Sequence, residues 1–305
     1  MLVCVLWALA ILTVLTLGFG RRALLERRAA AISIDHIEAH ALARGAVQRG
    51  LAEIQNRAFV DALAREQASS VQALLWAGPS NLLEGGEVFE SSGGPEYPDD
   101  SCSFSVCDAE RRISVNAAPE EILEEIPGIS FRTVNAIMRR RGGELSSGRV
   151  SPFLAVEEIR YLDGVDDDQW FGDAQVPGLR DLLTVWGDGR VNVNSAGPDV
   201  LRCIPDLDED VIGAILAYRQ GPDGQLYTQD DRAFPDLVEL ARITGVSPER
   251  LAPISKYCKL ESKSFTITGR ATRRAGKVRA ECAAVVLIHG ERAVVLDWRE
   301  GPGGS

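Results

Sequence analysis

An uncharged apolar run, LVCVLWALAILTVLTLGFG, fills Leu2 to Gly20. At about 1.5 Å per residue it reaches about 28 Å, close to the thickness of a bilayer's hydrocarbon core. A secretory signal peptide would show a basic start, a shorter apolar centre and a small-residue cleavage site. None of these is visible, so the run reads as a membrane anchor. It does not end in a turn. From Arg21 to about Leu75 there is no Pro, and Ala, Arg, Glu and Leu dominate. Ile34, Ile37 and Ala41, then Val47, Leu51 and Ile54, recur at steps of three or four. That spacing predicts an amphipathic helix continuous with the span, a single rod passing from bilayer into solvent.

Gly78-Pro79 in AGPSNLLEGGE ends the helical pattern, and SSGGPEYPDD continues it as a polar linker. SCSFSVCDAERRISVNA then alternates as short strands would, with a turn at Asp108–Arg111. At the far end, SFTITGRATRRAGKVRAECAAVVLIHGERAVVLDWRE predicts three strands, with turns near Arg273–Gly276 and His289–Glu291. A rod with strands on both sides of a long middle implies an α+β domain interrupted by a large insertion. The expected divisions are 1–20 for the membrane part of the helix and 21–112 for the rest of the rod and the first strands. An inserted α-helical domain then takes 113–258, and the closing strands 259–305.

The insertion repeats itself. SVNAAPEEILEEIPGISFRTVNAIMRRR is matched by NVNSAGPDVLRCIPDLDEDVIGAILAYRQ, which aligns Val115-Asn116 with Val193-Asn194 and Ile126-Pro127 with Ile204-Pro205. PFLAVEEIRYLDGV resembles AFPDLVELARITGV in the same order. A period near 80 residues is too long for a solenoid unit and fits duplicated helical hairpins. Asn116 and Asn194, ahead of Pro119 and Pro198, read as helix-entry residues.

Helical hairpins of this outline often seat a nucleic-acid phosphate on the N–H groups opening the second helix, which requires small residues in the turn. Here Ser130 stands where the second glycine of such a turn belongs, and the second copy reads PDLDED. Residues 114–143 hold four Glu and four Arg, and residues 191–221 hold five acids and two Arg, a net of −3. The whole chain carries a formal −11. Affinity for nucleic acid rests largely on Lys and Arg neutralising phosphates, so no nucleic-acid partner is expected. A membrane-anchored DNA receptor is the alternative reading.

Orientation is signalled two ways. Arg21, Arg22, Arg27 and Arg28 directly follow the apolar run, and the positive-inside rule alone would put them in the cytoplasm. Cys102 and Cys107, bracketing SFSV, read instead as a possible disulfide of an exported domain, with Cys203, Cys258 and Cys282 also in the body. His36 and His40 are one helical turn apart, with no third ligand evident. No nucleophile elbow, P-loop or dinucleotide fingerprint occurs, so catalysis is not expected and no catalytic residue is assigned.

Taken together, VLWALAILTVL, the junction RRALLERRAAAISIDHIEAHALARGAVQRGLAEI, and the segments ISVNAAPEEIL and GDGRVNVNSAGPDVL resemble the K-type minor pseudopilins of bacterial type II secretion systems. The resemblance implies a pilin helix and pilin-like sheet carrying an inserted helical domain. It implies an inner-membrane anchor with the bulk of the chain in the periplasm, and assembly with the I- and J-type minor pseudopilins on the secretion platform. Such a complex would initiate and cap the pseudopilus. Prepilins carry a short basic leader ending in Gly; this sequence opens at Met1 on the apolar run, which implies a truncated or nearly mature start. Other pilins place an acid near mature position five. Here the first acid is Glu26, in keeping with a tip position where no subunit lies ahead.

Asp223, Asp230 and Asp231 in GPDGQLYTQDDRAF are hard oxygen donors on a glycine-bearing loop. With the resemblance, they are the expected structural calcium ligands. LDGVDDDQWFGD, with Asp163, Asp166, Asp167 and Asp168, is a weaker second candidate.

Overall fold

The structure, a computed structural model, describes residues 2–65, 100–142, 151–173, 175–225, 231–247, 251–274, 276–289 and 292–302. Its strands are β1 (Ser101–Asp108), β2 (Ile113–Ser114), β3 (Leu183–Thr184), β4 (Val191–Asn192), β5 (Cys258–Lys259), β6 (Ser264–Arg273), β7 (Val278–His289) and β8 (Arg292–Pro302). The helices are α1 (Leu2–Arg65), α2 (Glu120–Glu124), α3 (Phe131–Gly142), α4 (Asp167–Phe171) and α5 (Leu179–Leu182), then α6 (Pro198–Arg202), α7 (Glu209–Arg219), α8 (Leu237–Thr244) and α9 (Leu251–Tyr257).

The rod α1 runs through the apolar segment and beyond it without interruption. It is long and apolar enough to cross a membrane, and every described side chain from Leu2 to Ala30 is exposed. Within this stretch the Thr13 and Thr16 hydroxyls donate to the carbonyls of Leu9 and Leu12 at 2.8 and 2.9 Å. That removes two polar groups that lipid could not satisfy.

The sheet is antiparallel, in the order β1-β6-β7-β8. Alternation along β1 turns Cys102, Phe104 and Val106 toward α1 and the less buried Ser101, Ser103, Ser105 and Cys107 away. The rod answers with Asp35, Ala39, Ala43, Ala46, Val47, Gly50 and Ile54. Small residues bring the two layers unusually close. A Cβ on Gly269 would stand 2.3 Å from the Ala43 carbonyl oxygen, and one on Gly50 would stand 2.7 Å from Ile267 Cγ2. Gly269→Val should therefore cost about 1–3 kcal/mol or more, because a helix backbone cannot step aside as a side chain can. Urea unfolding of the purified chain checks it.

This corrects the expected face of the rod. Val47 and Ile54 are buried against the sheet, but Ile34, Ile37 and Ala41 lie on the opposite side and are exposed. The two triplets belong to different faces. The sheet side had little apolar signal because closeness there depends on Ala and Gly.

The end of the sheet nearest the apolar segment is fixed by charge. Arg273, closing β6, is 4% exposed, beside Asp35 at 4% and Asp100 at 7%. Its Nε meets Asp100 Oδ2 at 2.8 Å and its Nη1 lies 3.9 Å from Asp35 Oδ1, with Glu38 as a further partner. Arg274 Nε reaches Asp35 Oδ2 at 2.6 Å.

Between β1 and β6 the chain forms a second core around Ile113, Ile122, Leu123, Ile137, Leu182 and Leu201. Strand β2 does not join the main sheet but pairs in parallel with β3, and β5 pairs in parallel with β4. The main sheet resumes only at Ser264.

Candidate functional site

The duplicated segments build the same object twice. In the first, Asn116 Nδ2 donates to the carbonyls of Phe153 and Val185, each at 2.9 Å, while its Oδ1 accepts from Phe153 N at 2.8 Å. In the second, Asn194 Nδ2 donates to the carbonyls of Phe234 and Leu260, each at 3.0 Å, and Oδ1 accepts from Phe234 N at 2.8 Å. One amide clasps three chain segments in each copy. Arg141 Nη1 donates to the Ala118 carbonyl at 2.6 Å, and Arg219 Nη1 to the Ala196 carbonyl, also at 2.6 Å. Asn116 and Asn194 are thus not helix caps. The caps are Pro119 and Gly197, neither of which makes a side-chain cap bond. The aligned repeat held the signal for these four residues, since Asn and Arg recur at matching places in both copies.

The hairpin turns also match. Gly128 has φ 75° and Asp206 has φ 61°. Asp is among the few side chains that tolerate this left-handed region. The backbone shape persists where the glycine does not.

In the first copy the opening of α3 is covered. The Ser130 and Thr133 hydroxyls hydrogen-bond at 2.8 Å, Thr133 Oγ1 donates to the Asp163 carbonyl at 3.3 Å, and a Cβ on Gly164 would meet Ser130 Oγ at 2.6 Å. Gln169 Nε2 occupies the Gly128 carbonyl at 2.7 Å. Two of the hairpin's arginines are spent internally: Arg140 on Glu158 and the face of Phe153, and Arg141 on backbone carbonyls. In the second copy Asp208, Glu209 and Asp210 stand exposed at the start of α7. A phosphate would meet a packed loop at one hairpin and three acids at the other.

The helical body is joined to the sheet through buried polar groups. Asp108, 2% exposed at the end of β1, accepts from Glu110 N at 2.7 Å, Ser262 Oγ at 2.7 Å and Asn192 Nδ2 at 2.9 Å, and from Ser195 Oγ. Burial raises its pKa, against the hydrogen bonds from Ser195, Ser262 and the Glu110 amide, which lower it. Glu110 pairs with Lys259, and Lys259 Nζ also reaches Asp188 at 2.8 Å. Asp188 sits in GDGR, where Gly189 has φ 93° and its α-carbon backs onto the Ala117 carbonyl, 2.2 Å from an added Cβ.

Burial would raise the Asp188 pKa, but hydrogen bonds from Lys259 and Arg190 outweigh it and bring it down from 3.8 to about 2. A depressed carboxylate stabilises the fold above its unfolded value and loses that contribution as pH falls through the folded one. Asp188→Asn should accordingly be less stable than the parent at neutral pH. The gap should close between pH 3.8 and about 2, as read from thermal melts.

The calcium candidates fare unevenly. Asp223 is exposed and its Oδ1 accepts from Gln225 N at 2.8 Å. Asp231 is described, whereas Asp230 lies outside the described residues. In the weaker candidate, Asp166 caps α4 by accepting from Gln169 N at 2.8 Å, and Asp167 pairs with Arg160 at 2.7 Å. Among the described residues no group of three His, Cys, Asp or Glu side chains is placed to hold a metal.

The expected Cys102–Cys107 bridge is not formed. Five steps along one strand separate them by about 16 Å and put them on opposite faces, beyond the reach of a disulfide. None of the six cysteines is in a disulfide. Burial pushes Cys203 and Cys258 up to about 12. His36 is exposed on the rod and His40 half-buried.

No protein-family model matches the sequence, and no curated protein matches it. Among solved structures, the chain is similar to a chain of the GspK–GspI–GspJ complex from the enterotoxigenic Escherichia coli type 2 secretion system. The two are 14% identical with a TM-score of 0.50, over 84% of this chain and 99% of that one. At this identity the likeness is one of fold. The chain has a pseudopilin-like fold, with a long N-terminal helix laid on an antiparallel sheet.

Proposed function

We propose that the chain is a minor pseudopilin of the K type in type II secretion, a non-catalytic subunit held in the inner membrane with its sheet and helical body in the periplasm. The observation that carries this reading is the rod's second apolar face. Ile34 is 54% and Ile37 is 68% exposed on the side away from the sheet, directly beyond the membrane-length segment. Isoleucines left in water by the subunit's own fold gain about 1.5–3 kcal/mol each when fully covered, and a neighbouring rod is the element shaped to cover them. The absence of any acid before Glu26 removes the group that would engage the amino terminus of a subunit ahead. Both features support assembly with I- and J-type minor pseudopilins at the pseudopilus tip.

The test is co-purification of the full chain in detergent with I- and J-type partners. A stable complex is expected. Ile34→Arg with Ile37→Arg should abolish it while leaving the melting temperature of the isolated chain unchanged, because neither side chain packs on the sheet. No complex with the parent chain would overturn the reading.

We also propose a structural calcium ion at Asp223, Asp230 and Asp231. Calcium at about a hundred times its Kd should add about 2.7 kcal/mol, seen as a raised melting temperature that Asp223→Ala with Asp231→Ala removes. An unchanged melt in excess calcium would sink it.

A further inference from the structure

Arg21, Arg22, Arg27 and Arg28 follow the apolar run on α1, and all four are exposed. At 3.6 residues per turn Arg21 and Arg28 share one side of the rod. Arg22 lies about 100° round from Arg21, and Arg27 about 120° round the other way. The four guanidinium groups form a collar, not a stripe. A neighbouring helix would touch one side of such a collar, whereas a lipid surface pierced by the rod would touch all of it. Leu24 and Leu25 are also exposed among the arginines. Apolar side chains interleaved with arginines suit the boundary between acyl chains and headgroups, where arginine stems bury and their charges reach outward.

The fold sends a second set of cations to the same end. Along β6, Ile267 lies against Gly50, Gly269 against Ala43 and Arg273 against Asp35, so the strand travels toward the apolar segment. Lys277 N donates to the Arg274 carbonyl at 3.3 Å in the turn that follows, and Arg274, Lys277 and Arg279 are exposed there. Asp35 stands fifteen residues beyond Gly20, about 22 Å along the axis. For an upright rod, that leaves the turn about 10 Å from the outer edge of the headgroups, one Debye length at 0.1 M salt.

The acids described at this end are Glu26, Asp35, Glu38 and Asp100, and each is already paired. Glu26 meets Arg22, and the other three meet Arg273 or Arg274. Farther along the sheet, Glu281 and Glu300 are held by Arg270 and Arg44. Among the described residues Arg21, Arg27, Arg28, Lys277 and Arg279 have no acidic partner. A chain of formal charge −11 thus turns a basic end toward the apolar segment.

We propose that this end seats anionic phospholipid headgroups, with the arginine collar in the headgroup layer and the β6–β7 hairpin facing it. The inference rests on the reading of Leu2 to Gly20 as a membrane span. A guanidinium takes a phosphate through two parallel hydrogen bonds, and each cation near a negatively charged bilayer adds to the attraction. With the sheet in the periplasm the same arginines run against the positive-inside rule. Headgroup phosphate gives them a counter-charge on that side, and the collar sets the depth at which the rod leaves the bilayer.

The test is electron paramagnetic resonance of the full chain reconstituted in phosphatidylcholine vesicles with a trace of spin-labelled lipid. Lipid held against the protein gives a motionally restricted signal, compared for phosphatidylglycerol and phosphatidylcholine labels. At about 10 mM salt the Debye length is about 30 Å. Phosphatidylglycerol should then be restricted about twofold or more over phosphatidylcholine, the average of about fivefold beside each cation and no preference in the far leaflet. Arg21→Gln, Arg22→Gln, Arg27→Gln and Arg28→Gln together should remove most of the preference. Lys277→Gln with Arg279→Gln should remove a smaller part, and all six together the whole. The six side chains are exposed, so the melting temperature should not change. Equal restriction of the two lipids by the parent chain, or a preference that survives the combined variant, would overturn the inference while leaving the span intact. Restriction of neither lipid would overturn the span and the inference with it.

Discussion

Arg273→Ala should destabilise the chain by about 3–5 kcal/mol, the largest single effect expected outside the helical body. The reason is the state it leaves behind. Asp35 and Asp100 come from the rod and from the entrance to β1, and both are nearly inaccessible to water. With Arg273 present, Asp100 has a partner at 2.8 Å and also accepts from Arg274 N at 3.1 Å. Without it, two carboxylates face one another across a buried gap with only the half-exposed Arg274 nearby. Arg273→Lys should lose less, since it keeps the charge but not the fork that reaches several partners at once. The triple change Arg273→Met, Asp35→Asn, Asp100→Asn should recover most of the loss, because it removes the charges together instead of stranding two. Equilibrium urea denaturation measures all three. A cost below about 1 kcal/mol for Arg273→Ala would mean that water reaches the cluster and that the rod is held to the sheet by apolar contact alone.

That cluster also shows where reading a sequence stops. The rod, the strands on either side of the insertion and the duplication within it were all legible, because each is written in local periodicity or in self-similarity. The packing face of the rod was not. Its sheet side is Ala39, Ala43, Ala46 and Gly50, residues chosen for closeness, which give no hydrophobic stripe, while the obvious isoleucines point the other way. Asp35 resembles any solvated acid until Arg273 arrives from 238 positions later. The junction is hidden for the same reason: Asp108, Asn192 and Ser262 meet across separations of 84 and 154 residues. Cys102 and Cys107 misled because proximity along a strand resembles proximity in space. In the extended conformation it implies opposite faces.

Asn194→Ala is the second large effect, expected at about 2–4 kcal/mol. The substitution deletes three hydrogen bonds and leaves the Phe234 amide and carbonyl and the Leu260 carbonyl without that partner, in surroundings where Phe234 is fully buried. Asn116→Ala should follow the same pattern with a smaller loss, since its site is only partly buried. Asn194→Asp separates shape from hydrogen bonding. It preserves the volume but turns the donor that served two carbonyls into an acceptor facing them, so it should be no better than Ala. The two asparagines share no partners, so their costs should add to within about 0.5 kcal/mol in the double variant. Thermal and urea unfolding of the four chains decides it. Since the clasp holds the fold of each copy through backbone groups of the chain itself, a variant still folded at low temperature should retain binding to partner rods. Partner binding lost while the melting temperature stays unchanged would instead place the duplicated amides in an interface.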